Sequence, residues 1–132
     1  MPFSIPIPVR FRDVDMIGHV NNAVYLTYFE QARIEFFQKV LGDVDWNKNG
    51  FILARAEVNF MLPLVLHDKA ETEVWCSRIG NKSFDFSYKV FKITGEEKTE
   101  MANGLTVMVA FDYRNNQPIP IPEDWKEKLQ GN

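Results

Sequence analysis

The sequence predicts an α+β fold: one long helix wrapped by a curved antiparallel sheet of about five strands, in a single domain over residues 1–132. Three observations predict it. Only one segment, 22–41, carries helical spacing over a long stretch. Residues 3–11 alternate strictly, with Phe, Ile, Ile, Val, Phe at odd positions and Ser, Pro, Pro, Arg, Arg at even ones. After Gly50 come four extended apolar runs, the last three separated by Gly80-Asn81 and Thr94-Gly95 turn signals. One helix lying flat cannot cover so large a sheet, so the sheet must curve around it.

The first strand has one buried face, because its alternation has period two. Its prolines mark an edge or an irregular start. The helix is capped by Asn21 or Asn22 and ends at Gly42, with Lys39 in its last turn near the negative end of the dipole. Val24, Tyr25, Tyr28, Phe29, Ala32, Phe36 and Val40 share a broad apolar face, and Leu26, Ile34 and Phe37 widen it. A polar stripe remains at Thr27, Gln31, Glu35 and Gln38, and Glu30 and Arg33 are spaced to pair. The later strands fall at about 51–62, 69–79, 83–93 and 97–112. The last is apolar on both parities and reads as central and covered on both faces. In the proline-rich tail, Pro122 starts a short helical turn with Glu123 and Asp124 favourably placed.

Composition narrows the function. A net charge of −3 gives no basic footprint for nucleic acid. No apolar run reaches the ~18 residues of a membrane span. Pro2, Pro6 and Pro8 sit where a signal peptide needs a helix, and one cysteine, Cys76, allows no intrachain disulfide, so a cytoplasmic protein is expected. The only histidines, His19 and His67, lie in different elements, so no metal site and no cofactor are expected. Eleven phenylalanines suit either a pocket for a large apolar group or plain packing.

The stretch RDVDMIGHVNN, from Arg12 to Asn22, concentrates polar groups between the first strand and the helix. Asp13 and Asp15 continue the inward parity of the strand, and buried carboxylates must be bonded or paired. In the plain structural reading the strand has already ended, one aspartate satisfies loop amides and the other meets water. Gly18 then marks a bend, His19 is structural and the asparagines cap the helix. In the chemical reading, a helix N-terminus with unpaired amides holds the oxyanion of an acyl-transfer reaction. A carboxylate just upstream then activates water or attacks directly. Spacing alone leaves both readings open.

The run FRDVDMIGHVNNAVYLTYFEQARIEFF resembles the signature of the 4-hydroxybenzoyl-CoA thioesterase family of hotdog-fold acyl-CoA thioesterases. EVNFMLPLVLHDKAETEVWCSRIGNKSFDFSYKVF and GLTVMVAFDYRNNQPIPIPEDW resemble its middle strands and its last strand and tail. The resemblance implies a hotdog fold, an acyl-CoA substrate, and homodimers or homotetramers with active sites between subunits. It implies Asp15 as the catalytic carboxylate, Asp13 as structural, Gly18 as the glycine beside the thioester, the Asn22 amide as the carbonyl donor, and Tyr25 as a pocket residue. Asp15-x-x-x-His19-Val20-Asn21-Asn22 is similar to a run in plant acyl-carrier-protein thioesterases, so His19 orients Asp15 or contacts substrate, and an acyl carrier protein is an alternative partner. In the turn GNKSF, Lys82 and Ser83 match a coenzyme A contact, although Gly80 and Asn81 stand where one subgroup has arginines. Glu57 and Asn59 sit on the parity opposite Val58 and Phe60, either facing a neighbouring subunit's site or on a solvated outer face. Besides a hydrolase, the resemblance leaves a non-catalytic module that binds acyl-CoA or acyl-carrier-protein thioesters. It fits a hotdog dehydratase poorly.

Overall fold

The computed structural model describes residues 2–131. In chain order they form β1 (Phe3–Pro8), a 3-10 turn (Phe11–Asp13), α1 (Val24–Leu41), β2 (Asn49–Phe60), β3 (Lys69–Ile79), β4 (Ser83–Thr94), β5 (Glu97–Asp112), β6 (Gln117–Pro118) and α2 (Glu123–Gln130). The strands make one antiparallel sheet in the order β1-β3-β4-β5-β2, with β6 paired to β5.

The helix touches the sheet from one edge to the other. Phe36 meets Phe3 of β1 with ring centroids 5.9 Å apart. Phe29 stacks on Tyr88 of β4 at 4.2 Å, and Phe37 stacks on Phe51 of β2 at 4.3 Å. Five strands span about 19 Å between the outer two at ~4.8 Å spacing, whereas a helix with its side chains is about 10–12 Å across. The sheet therefore wraps around α1, as the sequence predicts. The closest approach is at Gly104 of β5, where a Cβ would lie 2.4 Å from the Phe29 ring and 2.5 Å from the Glu57 carbonyl oxygen. Only glycine lets the aromatic layer reach the sheet there.

The helix buries Tyr25, Tyr28, Phe29, Ala32, Phe36 and Phe37, while Thr27, Gln31, Glu35 and Gln38 are exposed, in line with the expected faces. Arg33 is buried as well, with Glu30 at 3.5 Å. Leu26 and Ile34 stay exposed in the single chain, on a helix whose apolar breadth predicts cover on most sides.

Several expectations are corrected. The first strand stops at Pro8 rather than Phe11, and the 3-10 turn resets its alternation, so Asp13 is buried and Asp15 exposed although they share parity. The helix begins at Val24, with Ala23 rather than an asparagine at the N-cap position. Asn21 nevertheless supplies the bonds: its side chain accepts the Ala23 amide at 3.0 Å and its carbonyl accepts the Val24 amide at 2.9 Å. This is an Asx turn leading into the helix. β5 is central, but it is not covered on both faces: Leu105, Val107 and Val109, facing away from α1, are half-buried. The tail forms the eight-residue α2 rather than one turn, burying Trp125 and Leu129. The short β6 pairing is an addition to the five expected strands.

Candidate active site

The polar stretch folds into a small hairpin. The Asn21 amide donates to the Asp13 carbonyl at 2.9 Å, the Asp15 amide to the His19 carbonyl at 2.8 Å, and Val14 pairs with Val20. Its turn closes where the Gly18 amide meets the Asp15 carbonyl at 3.0 Å. Gly18 has φ +80°, and a Cβ placed on it would meet nothing within 4 Å, so the requirement for glycine is conformational rather than steric. The hairpin is held to the segment before β3. The Val20 amide donates to the Leu64 carbonyl at 2.8 Å, and His19 pairs with Val65.

The two aspartates have different surroundings. Asp13 is 2% exposed. Its Oδ2 accepts the Arg10 amide at 3.0 Å and the Tyr28 hydroxyl at 2.9 Å, and its Oδ1 accepts Arg10 Nη2 at 3.2 Å. Burial pushes its carboxyl up, but the bonds from Arg10 and Tyr28 outweigh burial and hold it below the ordinary value. Burial and the Asp13 carboxylate together push the Tyr28 hydroxyl far up, so Tyr28 remains a donor. Asp13 thus ties the strand end, the hairpin and α1 together.

Asp15 is exposed at the mouth of a cleft of about 390 Å³ that it shares with His19, Asn22, Tyr25, Phe60 and Leu62. Its Oδ1 accepts the Ile17 amide at 3.1 Å and the His19 amide at 3.3 Å. Oδ2 has no hydrogen-bond partner among the described residues. The backbone of His19, not its ring, orients this carboxylate. The Asn22 amide at the entrance to α1 likewise has no acceptor among the described residues. Tyr25 is buried, with its ring edge-on to Phe60 at 5.2 Å. Burial raises its hydroxyl, an effect opposed by the hydrogen bond from the Leu64 amide.

The cleft therefore brings Asp15, His19, Asn22 and Tyr25 together, with Gly18 in the turn beside them. It does not include Lys82 or Ser83. Phe60 pairs with Ala102, which pairs with Val90, and Ser83 lies seven residues along β4. At ~3.3 Å per residue that is about 23 Å. Lys82 is exposed, and the Ser83 hydroxyl accepts Arg78 Nη2 at 2.8 Å. Glu57 pairs with Arg55 at 3.0 Å and Asn59 bonds Asn103 at 2.9 Å, both on the sheet face away from α1. Sequence reasoning placed Phe60, Met61 and Leu62 in a strand but missed that they wall this cleft; their signal is a run of large apolar residues ending at Pro63. Among the described residues no group of three or more His, Cys, Asp or Glu side chains is arranged to hold a metal ion. Among them, too, no helix is long and apolar enough to cross a membrane.

Comparison with known proteins follows the same lines. Residues 9–129 match the thioesterase-like superfamily. The chain is 26% identical to the long-chain acyl-CoA thioesterase FadM of Escherichia coli, covering 94% of each chain. It is 27% identical to the acyl-CoA thioesterase YbgC of Haemophilus influenzae, over 94% of this chain and 91% of that one. A crystal structure of a Thermus thermophilus thioesterase complexed with coenzyme A and Zn superposes with a TM-score of 0.84 and 34% identity, over 97% of this chain and 91% of the other. Fold, matched span and relatives agree, and the chain belongs to the thioesterase-like superfamily, as a thioester hydrolase of hotdog fold.

Proposed function

We propose that this protein hydrolyses acyl-CoA thioesters in the cytoplasm, with Asp15 and the Asn22 amide as its reacting groups. The observation that carries this reading is the pairing, in one cleft, of a carboxylate oxygen and a helix-entrance amide that both lack partners among the described residues. The thioester carbonyl oxygen accepts the Asn22 amide, which strengthens as the oxygen becomes an oxyanion. Water attacks the carbonyl carbon while Asp15 takes its proton. The tetrahedral intermediate collapses, the C–S bond breaks, and the coenzyme A thiolate leaves and is protonated. Direct attack by Asp15 would pass through a mixed anhydride that water then opens. Gly18 sets the turn, His19 orients Asp15 through its amide, and Tyr25 with Phe60 forms the wall against the acyl group.

The protein acts as a homo-oligomer in this reading. Leu26, Ile34, Ile52 and Leu53 are exposed along α1 and the edge strand β2. Lys82 and Ser83, about 23 Å from the cleft by strand rise, contact coenzyme A only as part of another copy's site.

The competing reading is a non-catalytic module that binds acyl-CoA or acyl-carrier-protein thioesters. The two loop amides on Asp15 favour it, because they give that residue a structural role without chemistry. Asp15→Asn separates the two readings, since it keeps an oxygen acceptor for the loop and removes the charge. Thiol release from a panel of aliphatic and aromatic acyl-CoAs is expected to fall by roughly a hundredfold or more in the variant. Equal turnover by both proteins would refute Asp15, and binding without turnover by the wild type would establish the module.

A further inference from the structure

The segment between β2 and β3 holds the Asp15 hairpin in place, and one turn shapes that segment. The Asp68 amide donates to the Val65 carbonyl at 3.1 Å and closes a turn over Leu66 and His67. His67 takes its third position with φ +73°. Such a turn calls for glycine there, because a Cβ is strained in the left-handed region. Gly18 meets the same demand in the hairpin with a glycine, whereas His67 meets it with a full side chain. A strained residue of this kind persists only where its surroundings over-determine it, and such residues gather at functional sites.

The restraint on His67 is Asp68. Its Oδ2 accepts the Val65 amide at 2.9 Å, and its Oδ1 lies 3.5 Å from Lys92 Nζ on β4. The Asp68 side chain is 12% exposed. Both polar groups of the Val65 backbone thus go to one residue, and the turn is shut from two sides. The residues it fixes are those that hold the hairpin. The Leu64 carbonyl accepts the Val20 amide at 2.8 Å, and Val65 pairs with His19. The Leu64 amide donates to the Tyr25 hydroxyl. His19 in turn donates its amide to Asp15 Oδ1 at 3.3 Å.

We propose that Asp68 is a positioning residue for the Asp15 cleft: it locks residue 67 in the left-handed region and so fixes where Leu64 and Val65 hold the hairpin. Its effect on turnover rests on the thioesterase reading above. Neither Asp68 nor His67 lines the cleft; both line a groove beside Pro8 and Ile93. The element with two states is the turn, left-handed at His67 or relaxed. Without the carboxylate the Val65 amide loses its acceptor. Residue 67 then moves to a backbone conformation that suits a side chain, and Leu64 and Val65 shift away from the hairpin.

The test compares variants of these two residues, with folding verified by circular dichroism. Asp68→Ala is expected to lower kcat roughly ten- to a hundredfold through misplacement of Asp15, with KM within about twofold of wild type. Asp68→Asn keeps an oxygen for the Val65 amide and loses an ion pair to a half-exposed lysine, so its kcat stays within about fivefold. The double variant His67→Gly, Asp68→Ala separates position from stability. Glycine holds the left-handed region without strain, so the turn outlasts its lock, and kcat recovers about fivefold or more over Asp68→Ala. A merely structural Asp68 would move the melting temperature and leave the kcat of folded protein intact.

Amide hydrogen exchange reads the same positions without turnover. The Asp15 and Val20 amides, bound to the His19 and Leu64 carbonyls, should exchange about tenfold faster or more in Asp68→Ala and return toward wild type in the double variant. Unchanged kcat and exchange in Asp68→Ala overturn the proposal, as does a double variant no better than Asp68→Ala. If Asp68→Ala alone does not fold, the double variant must fold with both amides protected, or the proposal falls. Should Asp15→Asn remain active, the catalytic reading fails, and exchange alone decides the positioning.

Discussion

Replacing Asp13 by asparagine probes the scaffold under the site without touching the cleft. Each carboxylate oxygen faces a donor of Arg10, the amide at 3.0 Å on Oδ2 and Nη2 at 3.2 Å on Oδ1. An asparagine flipped either way therefore points its NH2 at another donor. One bond to a charged acceptor is lost, worth about 1.5–3 kcal/mol, and a buried donor is left unpaired at a cost of about 1–3 kcal/mol. The Arg10 side chain is 56% exposed, so its ion pair adds little after solvent screening. The expected loss is about 3 kcal/mol at pH 7, or roughly 10 °C in Tm for a chain of this size. The loss should also depend on pH. The Asp13 carboxyl is held below its ordinary value, so it contributes stability above the unfolded-state value of 3.8 and loses it as the pH falls through the lower folded value. Urea unfolding of both proteins at neutral pH and under acid checks this: the gap should be widest at neutral pH and narrow on acidification. A gap under about 0.5 kcal/mol at pH 7, or one that does not narrow in acid, would refute the reasoning.

Gly104→Ala should destabilise by about 1–3 kcal/mol, because its methyl group runs into both the Phe29 ring and the Glu57 carbonyl; unchanged urea unfolding would mean that β2 and α1 part freely. Gly18→Val should cost about 1–2 kcal/mol through its positive φ alone, with open space around the new side chain, and Gly18→Ala should cost less than Val. Comparing the two variants by thermal unfolding separates conformational strain from steric clash. Cys76 should react slowly with thiol reagents at pH 8 and rapidly once unfolded, since burial pushes its thiol up to about 11; fast labelling of the native protein would show that the strand opens.

Elements with strong punctuation were legible in the sequence. The strands at 69–79 and 97–112 end where predicted, because turn residues bound them. The helix face was legible from spacing, down to the Glu30–Arg33 pair. What could not be read depends on contacts far away in the chain. The inward parity of the two aspartates held for Asp13 and failed for Asp15, because a 3-10 turn, closed by Asp13 on Arg10 and anchored on Tyr28 fifteen residues later, breaks the alternation. The irregularity in β2 is fixed by its pairing with β5 and leaves no local signal. At the site, the hairpin residues lie in one run and were legible together. Phe60 and Leu62 reach the same cleft from a strand end, and the likeness of Lys82 and Ser83 to a coenzyme A contact says nothing about how far along the sheet they lie from it.

The two prolines of β1 decide where growth stops. A sheet extends only through ends that can offer hydrogen bonds, and this chain has one blocked end and one open end. Restoring amide hydrogens at positions 6 and 8 would leave the sheet open at both ends, the condition under which strands add on either side and a fibre can be templated.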